Sequence, residues 1–292
     1  MQKVRKAIIP AAGYGTRFLP ATKSQPKEML PIVDKPIIQY VIEDAVASGI
    51  TDIIIVTGSN KRAIEDHFDH STELEKYLKE NNKLERLDEI RKIAEMANFI
   101  YIRQKGPYGN GTPVKNAMEV IGDEPFVVLW GDDFIDARPP RTRQLIDVYE
   151  KFNGPVISLV ETDDEGTNKY GIADATLLED NVYRIKQLIE KPGPEKAPSR
   201  LASVSGFLLT PDIFPILNDL KTGKGGELWL SDAMDKLREK RAFYGCLIRD
   251  GKYYDCGNKL EWIKANVDFA LRRADFNGVL TEYLEKITKK KK

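Results

Sequence analysis

The stretch from Ala7 to Pro31, AIIPAAGYGTRFLPATKSQPKEMLP, constrains this chain more than any other. A brief apolar run, Ala7 to Ile9, reads as a buried strand, and it is followed at once by small residues, glycines and cations. Gly13 and Gly15 can take positive φ and let amide N–H groups converge on an anion. Arg17, Lys23 and Lys27 follow in the same segment, and three fixed cations suit a polyphosphate better than a neutral ligand. Glu28 is the one acid among them, an acceptor for a base or a sugar. Glycine pairs after a strand are common, so the G-x-G alone is weak. Two sharper motifs are excluded: a dinucleotide fingerprint needs glycine where Phe18 stands, and a P-loop needs Gly-Lys-Ser/Thr where the chain reads Phe18, Leu19, Pro20.

Pro36 to Ser48 has apolar residues at helical spacing and stops at Gly49, and Ile53 to Thr57 is a buried strand pattern. Strand, helix and strand in this order make a βαβ unit, so the sheet is expected to be mainly parallel. Residues 61–97 are charged and helical without a strand signal. His67 and His70 sit three apart there, with no third ligand following, which favours a surface reading over a metal site. Phe99 to Arg103 is the next strand. Gln104 at its end can pair with both an N–H and a carbonyl of a pyrimidine, or simply cap the loop. Thr112 is expected to cap a helix opening with Pro113. Phe126 to Trp130 is an apolar strand with Gly131, Asp132 and Asp133 at its carboxyl end, the edge where α/β sheets bind ligands. Those acids either cap a turn or hold magnesium, which binds through one or two carboxylates plus substrate phosphates.

The second half is β-rich: residues 155–160, 170–175, 182–189 and 203–209 are strand candidates. Gly171 and Gly206 interrupt them where a sugar could approach. Glu190 and Lys191 read equally as exposed surface. Asp255 precedes a helical run, so helix capping stands beside metal binding.

The order G-x-G-T-R at Gly13 to Arg17, P-K-E-M-L-P at Pro26 to Pro31 and D-K-P at Asp34 to Pro36 resembles the signature of the sugar-nucleotide pyrophosphorylases, in particular the bacterial UTP-glucose-1-phosphate uridylyltransferase group. Y-G at Tyr170, E-K-P at Glu190 and Y-D-x-G at Tyr254 extend the likeness, which runs from about Lys6 to Arg273. The resemblance implies an α/β, Rossmann-like nucleotide-diphospho-sugar transferase fold: a mixed, mainly parallel central sheet flanked by helices, with a β-rich sugar-binding part and a helical insertion. One domain would cover 1–275, with a nucleotide-binding part to about 135, the insertion at about 61–97 and the sugar-binding part at about 155–257. A C-terminal helix and basic tail would fill 276–292.

For function, the resemblance implies synthesis of UDP-glucose and pyrophosphate from UTP and glucose 1-phosphate. Ala11, Ala12, Gly13, Gly15, Glu28, Gln104 and Gly109 would bind the nucleotide, and Arg17 and Lys27 the triphosphate. Gly171 would line the sugar site, Glu190 would hold sugar hydroxyls and Lys191 the sugar phosphate, and Asp132 and Asp255 would hold Mg²⁺. The group commonly forms dimers or tetramers. Other readings are a catalytically weak regulatory homologue, or a pyrophosphorylase for another sugar 1-phosphate or dTTP. Thr112 stands where the group has histidine, and Phe207 where it has arginine. Gly223 to Asp232 resembles a glycine-rich loop of the group, expected near substrate or a subunit interface.

Charge excludes other partners. Lys plus Arg equals Asp plus Glu, 45 against 45, so no global field draws nucleic acid or an anionic membrane, and any anion site is local. The N-terminus is not a signal peptide and no run approaches the roughly 18 apolar residues of a membrane span, which makes the cytoplasm the default. Cys246 and Cys256 have no matching cluster and suggest neither zinc nor a disulfide framework. The closing KITKKKK reads as a solvated tail.

Overall fold

In the computed structural model, which describes residues 2–276 and 278–289 and at position 224 the backbone only, the first half alternates strands and helices. It runs β1 (Lys6–Ala11), β2 (Pro31–Ile32), β3 (Lys35–Pro36), α1 (Ile37–Ala47), β4 (Asp52–Thr57), α2 (Arg62–His67), α3 (Thr72–Glu80), α4 (Leu84–Glu95), β5 (Asn98–Arg103), α5 (Gly111–Asn116), α6 (Met118–Ile121) and β6 (Phe126–Val128). The second half continues with β7 (Phe134–Ala137), α7 (Arg141–Phe152), β8 (Val156–Glu161), β9 (Gly171–Glu179), β10 (Val182–Glu190) and β11 (Leu201–Leu209). It closes with α8 (Ile213–Asp219), α9 (Leu230–Lys240), β12 (Tyr244–Leu247), β13 (Gly251–Tyr254), α10 (Lys259–Leu271) and α11 (Val279–Lys289). The end of the basic tail, 290–292, lies outside the described residues.

Nine of the described strands form one sheet in the order β5-β4-β1-β6-β11-β8-β12-β10-β9. β5, β4, β1 and β6 are mutually parallel, with Ile8 level with Ile54 and Val128. From β11 onward the ladder is mostly antiparallel, the β8–β12 pair excepted. The apolar runs of β1 and β4 follow from burial on both faces. Ala7, Ile9, Ile53 and Ile55 pack into one core, and Ile8, Ile54 and Val56 into the other. Helix α1 covers the first face with Ile38, Val41, Ile42 and Ala45, and it ends as its sequence indicates. Gly49 adopts φ 93°, its N–H bonds the Val46 carbonyl, and the Ile50 N–H reaches back to Ala45, closing a Schellman turn.

The helical excursion is real, but its histidines do not share a helix face. His67 ends α2 half-buried, with Nε2 2.9 Å from Gln39 Oε1, whereas His70 lies beyond the helix and bonds Glu75. Asn110, rather than Thr112, occupies the N-cap position of α5, and the Thr112 hydroxyl donates to the Pro107 carbonyl instead. Gly206 does not open space for a sugar. It sits at φ 111° where β11 slips register, and a Cβ there would stand 2.6 Å from Ser158 Oγ and 2.9 Å from Cδ of the fully buried Arg141.

Candidate active site

The parallel strands β1, β4 and β6 deliver their carboxyl ends to one edge of the sheet, where each chain turns away through small residues. After β1 the segment Ala12 to Tyr14 bounds a cavity of about 320 Å³ together with Thr22, Lys23, Ser59 and Lys61. Gly15 takes φ 66°, and its carbonyl accepts from the Thr22 hydroxyl at 2.7 Å, which fixes the turn. Gly13 faces Lys27: a Cβ there would lie 3.9 Å from Lys27 Cε.

After β6 the chain passes through Gly131 to Asp132. Asp255 arrives from 123 residues further along the chain on a separate two-stranded ribbon, in which β13 runs antiparallel to β7 with Tyr254 opposite Phe134. Continuing that register sets residue 255 opposite 133, beside Asp132. Around Gly257, the next turn, four charged groups meet. A Cβ on Gly257 would stand 2.8 Å from Asp132 Oδ2, 3.2 Å from Arg17 Nη1 and 3.2 Å from Asp255 Oδ1, so the two carboxylate oxygens are at most about 6 Å apart. Arg17 donates to the Gly257 carbonyl at 3.1 Å, and Lys27 Nζ lies 2.6 Å from Asp132 Oδ2. Asp255 does not cap the following helix; the Asn258 side chain does, accepting from Leu260 and Glu261 N–H.

The electrostatics follow from the crowding. Burial raises the Asp255 pKa and the Asp132 charge raises it further, with Arg17 opposing. Burial disfavours the Lys27 ammonium, but Asp132 and Glu28 outweigh it and its pKa is raised. Asp133 turns inward, buried, and is pushed up to about 7 by burial against the pull of Arg141. Its Oδ2 accepts from the Tyr253 hydroxyl at 3.4 Å. Two like charges held close with Lys27 lodged on one of them form a donor set that fits a hard divalent cation, which completes its shell with phosphate oxygens and water. Among the described residues no three His, Cys, Asp or Glu side chains form a ready-made cage.

On the flank formed by the second half of the chain, a cavity of about 630 Å³ lies between Trp130, Tyr170, Gly171, Glu190, Phe207 and Tyr253. Lys191, next in the chain to Glu190, takes φ 48°, with its ammonium 3.4 Å from Glu190 Oε1 and its side chain 56% exposed. Phe207 packs its ring edge-on to Trp130, an apolar wall where the sequence pattern called for a cation.

Other singled-out residues have different surroundings. Gln104 is half-buried, its N–H on the Thr57 carbonyl. Gly109 adopts φ 122°, and a Cβ there would collide with the backbone of Leu228. The glycine-rich segment 223–232 thus packs on the 108–111 loop, through Leu228 N–H to the Tyr108 carbonyl, Gly111 N–H to the Leu228 carbonyl and Leu230 N–H to Asn110 Oδ1. Glu28 is only 1% exposed, and its Oε2 is 2.8 Å from Lys61 Nζ, so it stands behind the cations rather than among them. Lys61 carries no motif, and nothing in its charged helical neighbourhood distinguished it.

A family model described as nucleotidyl transferase matches residues 6–271. A UTP–glucose-1-phosphate uridylyltransferase of Bacillus subtilis is 50% identical over 290 residues, 99% of each chain. One of Staphylococcus epidermidis is 44% identical over 287 residues, 98% of this chain and 99% of its own. A solved UDP-glucose pyrophosphorylase complexed with UDP-glucose is 41% identical and superposes with a TM-score of 0.84, covering 93% of this chain and all of its own. A UTP-bound UGPase from Acinetobacter baumannii is 34% identical with a TM-score of 0.89, over 96% and 99% of the two chains.

Proposed function

We infer that this chain, which belongs to the nucleotidyl transferase family, transfers a uridylyl group from UTP to glucose 1-phosphate, forming UDP-glucose and pyrophosphate. The single observation that carries the site assignment is the meeting of Arg17, Lys27, Asp132 and Asp255 around Gly257.

In this reading the triphosphate lies along the Ala11, Ala12, Gly13 and Gly15 turn, with amide N–H groups toward its oxygens. Arg17 and Lys27 hold the β- and γ-phosphates and neutralise the leaving pyrophosphate. Gln104 and the loop at Gly109 face the base. Glu190 accepts from sugar hydroxyls, and Lys191 swings from Glu190 to the sugar phosphate and aims its oxygen at the α-phosphorus, in line with the departing pyrophosphate. The attacking oxygen needs no base: a phosphate monoester with a second pKa of about 6 is already ionised near neutrality. Asp132 and Asp255 together hold a divalent ion, Mg²⁺ in this reading, which when bound supplies positive charge to the phosphate oxygens as the bond to the leaving group breaks. Asp133, turned into the protein on Arg141 and Tyr253, supports that turn without joining the ligands. The same reading has the enzyme working in the cytoplasm as a homodimer or homotetramer, which fractionation and light scattering test.

Pyrophosphate release from UTP and glucose 1-phosphate tests the reaction directly. The expected outcome is turnover that EDTA abolishes, Mg²⁺ restores and Asp132→Ala removes. A panel of sugar 1-phosphates with UTP and dTTP tests the choice of substrates. Turnover in Asp132→Ala equal to the parent's would overturn the metal and phosphate roles.

A further inference from the structure

Lys61 is a buried cation that the mechanism above does not use. Its side chain is 7% exposed and ends 2.8 Å from Glu28 Oε2, and Glu28 itself is 1% exposed. Glu28 follows Lys27 in the chain. Its Cγ also lies against Gly131, where a Cβ would come within 3.1 Å of it, immediately before Asp132. The Glu28 side chain therefore packs against the residue before Asp132 and stands next in the chain to Lys27, whose charge it helps to hold. Charges of opposite sign then alternate along the chain of contacts Lys61, Glu28, Lys27, Asp132, with Glu28 the most deeply buried. Lys61 also lines the cavity bounded by Gly13 and Lys23, so the 59–61 turn and the glycine turn share one wall.

A buried ion pair is weak evidence for stability, since well-packed apolar residues of the same volume often serve as well. Removing one partner is different, because the other charge is left buried and alone. An unpaired Glu28 carboxylate has one other close cation to turn to, Lys27, whose charge it already helps to hold.

We propose that Lys61 is a positioning residue for nucleotide phosphate binding: by engaging Glu28 it leaves the Lys27 ammonium directed at Asp132 and the phosphates rather than drawn back into the protein. The proposal rests on the phosphate role assigned to Lys27 above. Lys61 and Glu28 act as one unit, so their effects do not multiply.

The experiment compares Lys61→Met, Glu28→Gln and the double variant with the full-length parent, measuring UTP dissociation constants by calorimetry and steady-state kinetics for both substrates. Thermal melts establish that each variant is folded. Lys61→Met is expected to weaken UTP binding and kcat/KM for UTP roughly tenfold or more, with KM for glucose 1-phosphate within about twofold of the parent, whereas Glu28→Gln, which removes the carboxylate that would draw Lys27 back, is expected to lose less. The double variant is expected to bind UTP more tightly than Lys61→Met, because it leaves no lone carboxylate to draw Lys27 back. Losses that multiply in the double variant mean that Lys61 touches the nucleotide independently and overturn the proposal, as does a folded Lys61→Met with unchanged UTP parameters. Should Lys61→Met not fold, the charge-free double variant set against Glu28→Gln gives the same decision: a further tenfold loss on adding Lys61→Met refutes the coupling. Calorimetry separates this from the reaction assignment, since a parent that binds UTP without releasing pyrophosphate defeats the assignment and leaves the coupling measurable.

Discussion

Replacing Asp255 with asparagine tests whether two acids were brought together for a cation. Without a divalent ion, Asp132 and Asp255 hold like charges at most about 6 Å apart. Their repulsion at 6 Å is about 2.8 kcal/mol at an effective dielectric of 20 and about 0.7 kcal/mol in bulk water. Arg17 and Lys27 stand close by and offset part of it, so the net penalty falls within that interval. Asp255→Asn keeps the shape and removes the penalty. In EDTA the variant should therefore be more stable than the parent, by about 1–2 kcal/mol, which for a chain of this size is a rise in Tm of a few degrees. With Mg²⁺ and UTP added the order should reverse. The parent gains binding free energy, about 2.7 kcal/mol at a hundredfold excess over Kd, while the variant gains far less and has lost most turnover. Differential scanning calorimetry in the two buffers reads both effects on one sample. A variant that melts below the parent in EDTA, or that keeps the full gain with Mg²⁺ and UTP, would show that these carboxylates are not held against their own repulsion for a metal.

Lys191→Ala should lower kcat/KM for glucose 1-phosphate roughly a hundredfold while leaving Tm unchanged, because the side chain is 56% exposed and packs against little; kinetics with unaltered sugar-phosphate parameters would remove it from the site. Gly206→Ala should cost on the order of 3 kcal/mol in urea unfolding, since the new Cβ meets Ser158 and the buried Arg141 at a positive φ, and a loss under about 1 kcal/mol would contradict that packing. Burial holds the His67 pKa below its ordinary value. The unfolded chain therefore binds that proton more readily, and the stability owed to neutral His67 is complete above about pH 6.5 and fades as pH falls through it. His67→Gln should flatten the stability slope between about pH 7.5 and 5.5, and an unchanged slope would exclude the assignment.

What the sequence revealed was whatever is written in neighbouring residues. The runs at Ala7 and Ile53 alternate into two cores and so read as buried parallel strands, and Gly49 stops α1 because the turn it makes needs only the six residues around it. Asp132 and Asp255 were legible through short motifs at strand ends, although only the β7–β13 register explains how they meet. What stayed hidden depends on distant partners. Lys61 looks like one more cation in a charged helical run, and its burial comes from Glu28, 33 residues earlier. Gly206 reads as a place for a ligand, but the bodies that crowd it are Ser158 and Arg141, and the backbone that packs on Gly109 belongs to Leu228, far along the chain. Asn258 took the cap expected of Asp255 because the chain makes one more turn after the ribbon before the helix begins.

The ribbon that carries Asp255 also sets an order of events during synthesis. By the time residue 209 has left the ribosome, the glycine turn, Arg17, Lys27, Asp132 and eight of the nine strands of the main sheet have been made, yet Asp255 has still to emerge. On the proposed reading, a nascent or truncated chain ending there holds Arg17, Lys27 and Asp132 but lacks the second carboxylate of the ion's seat. The competence to cleave UTP would then arrive late, just after β13, when nearly all of the scaffold has already been made.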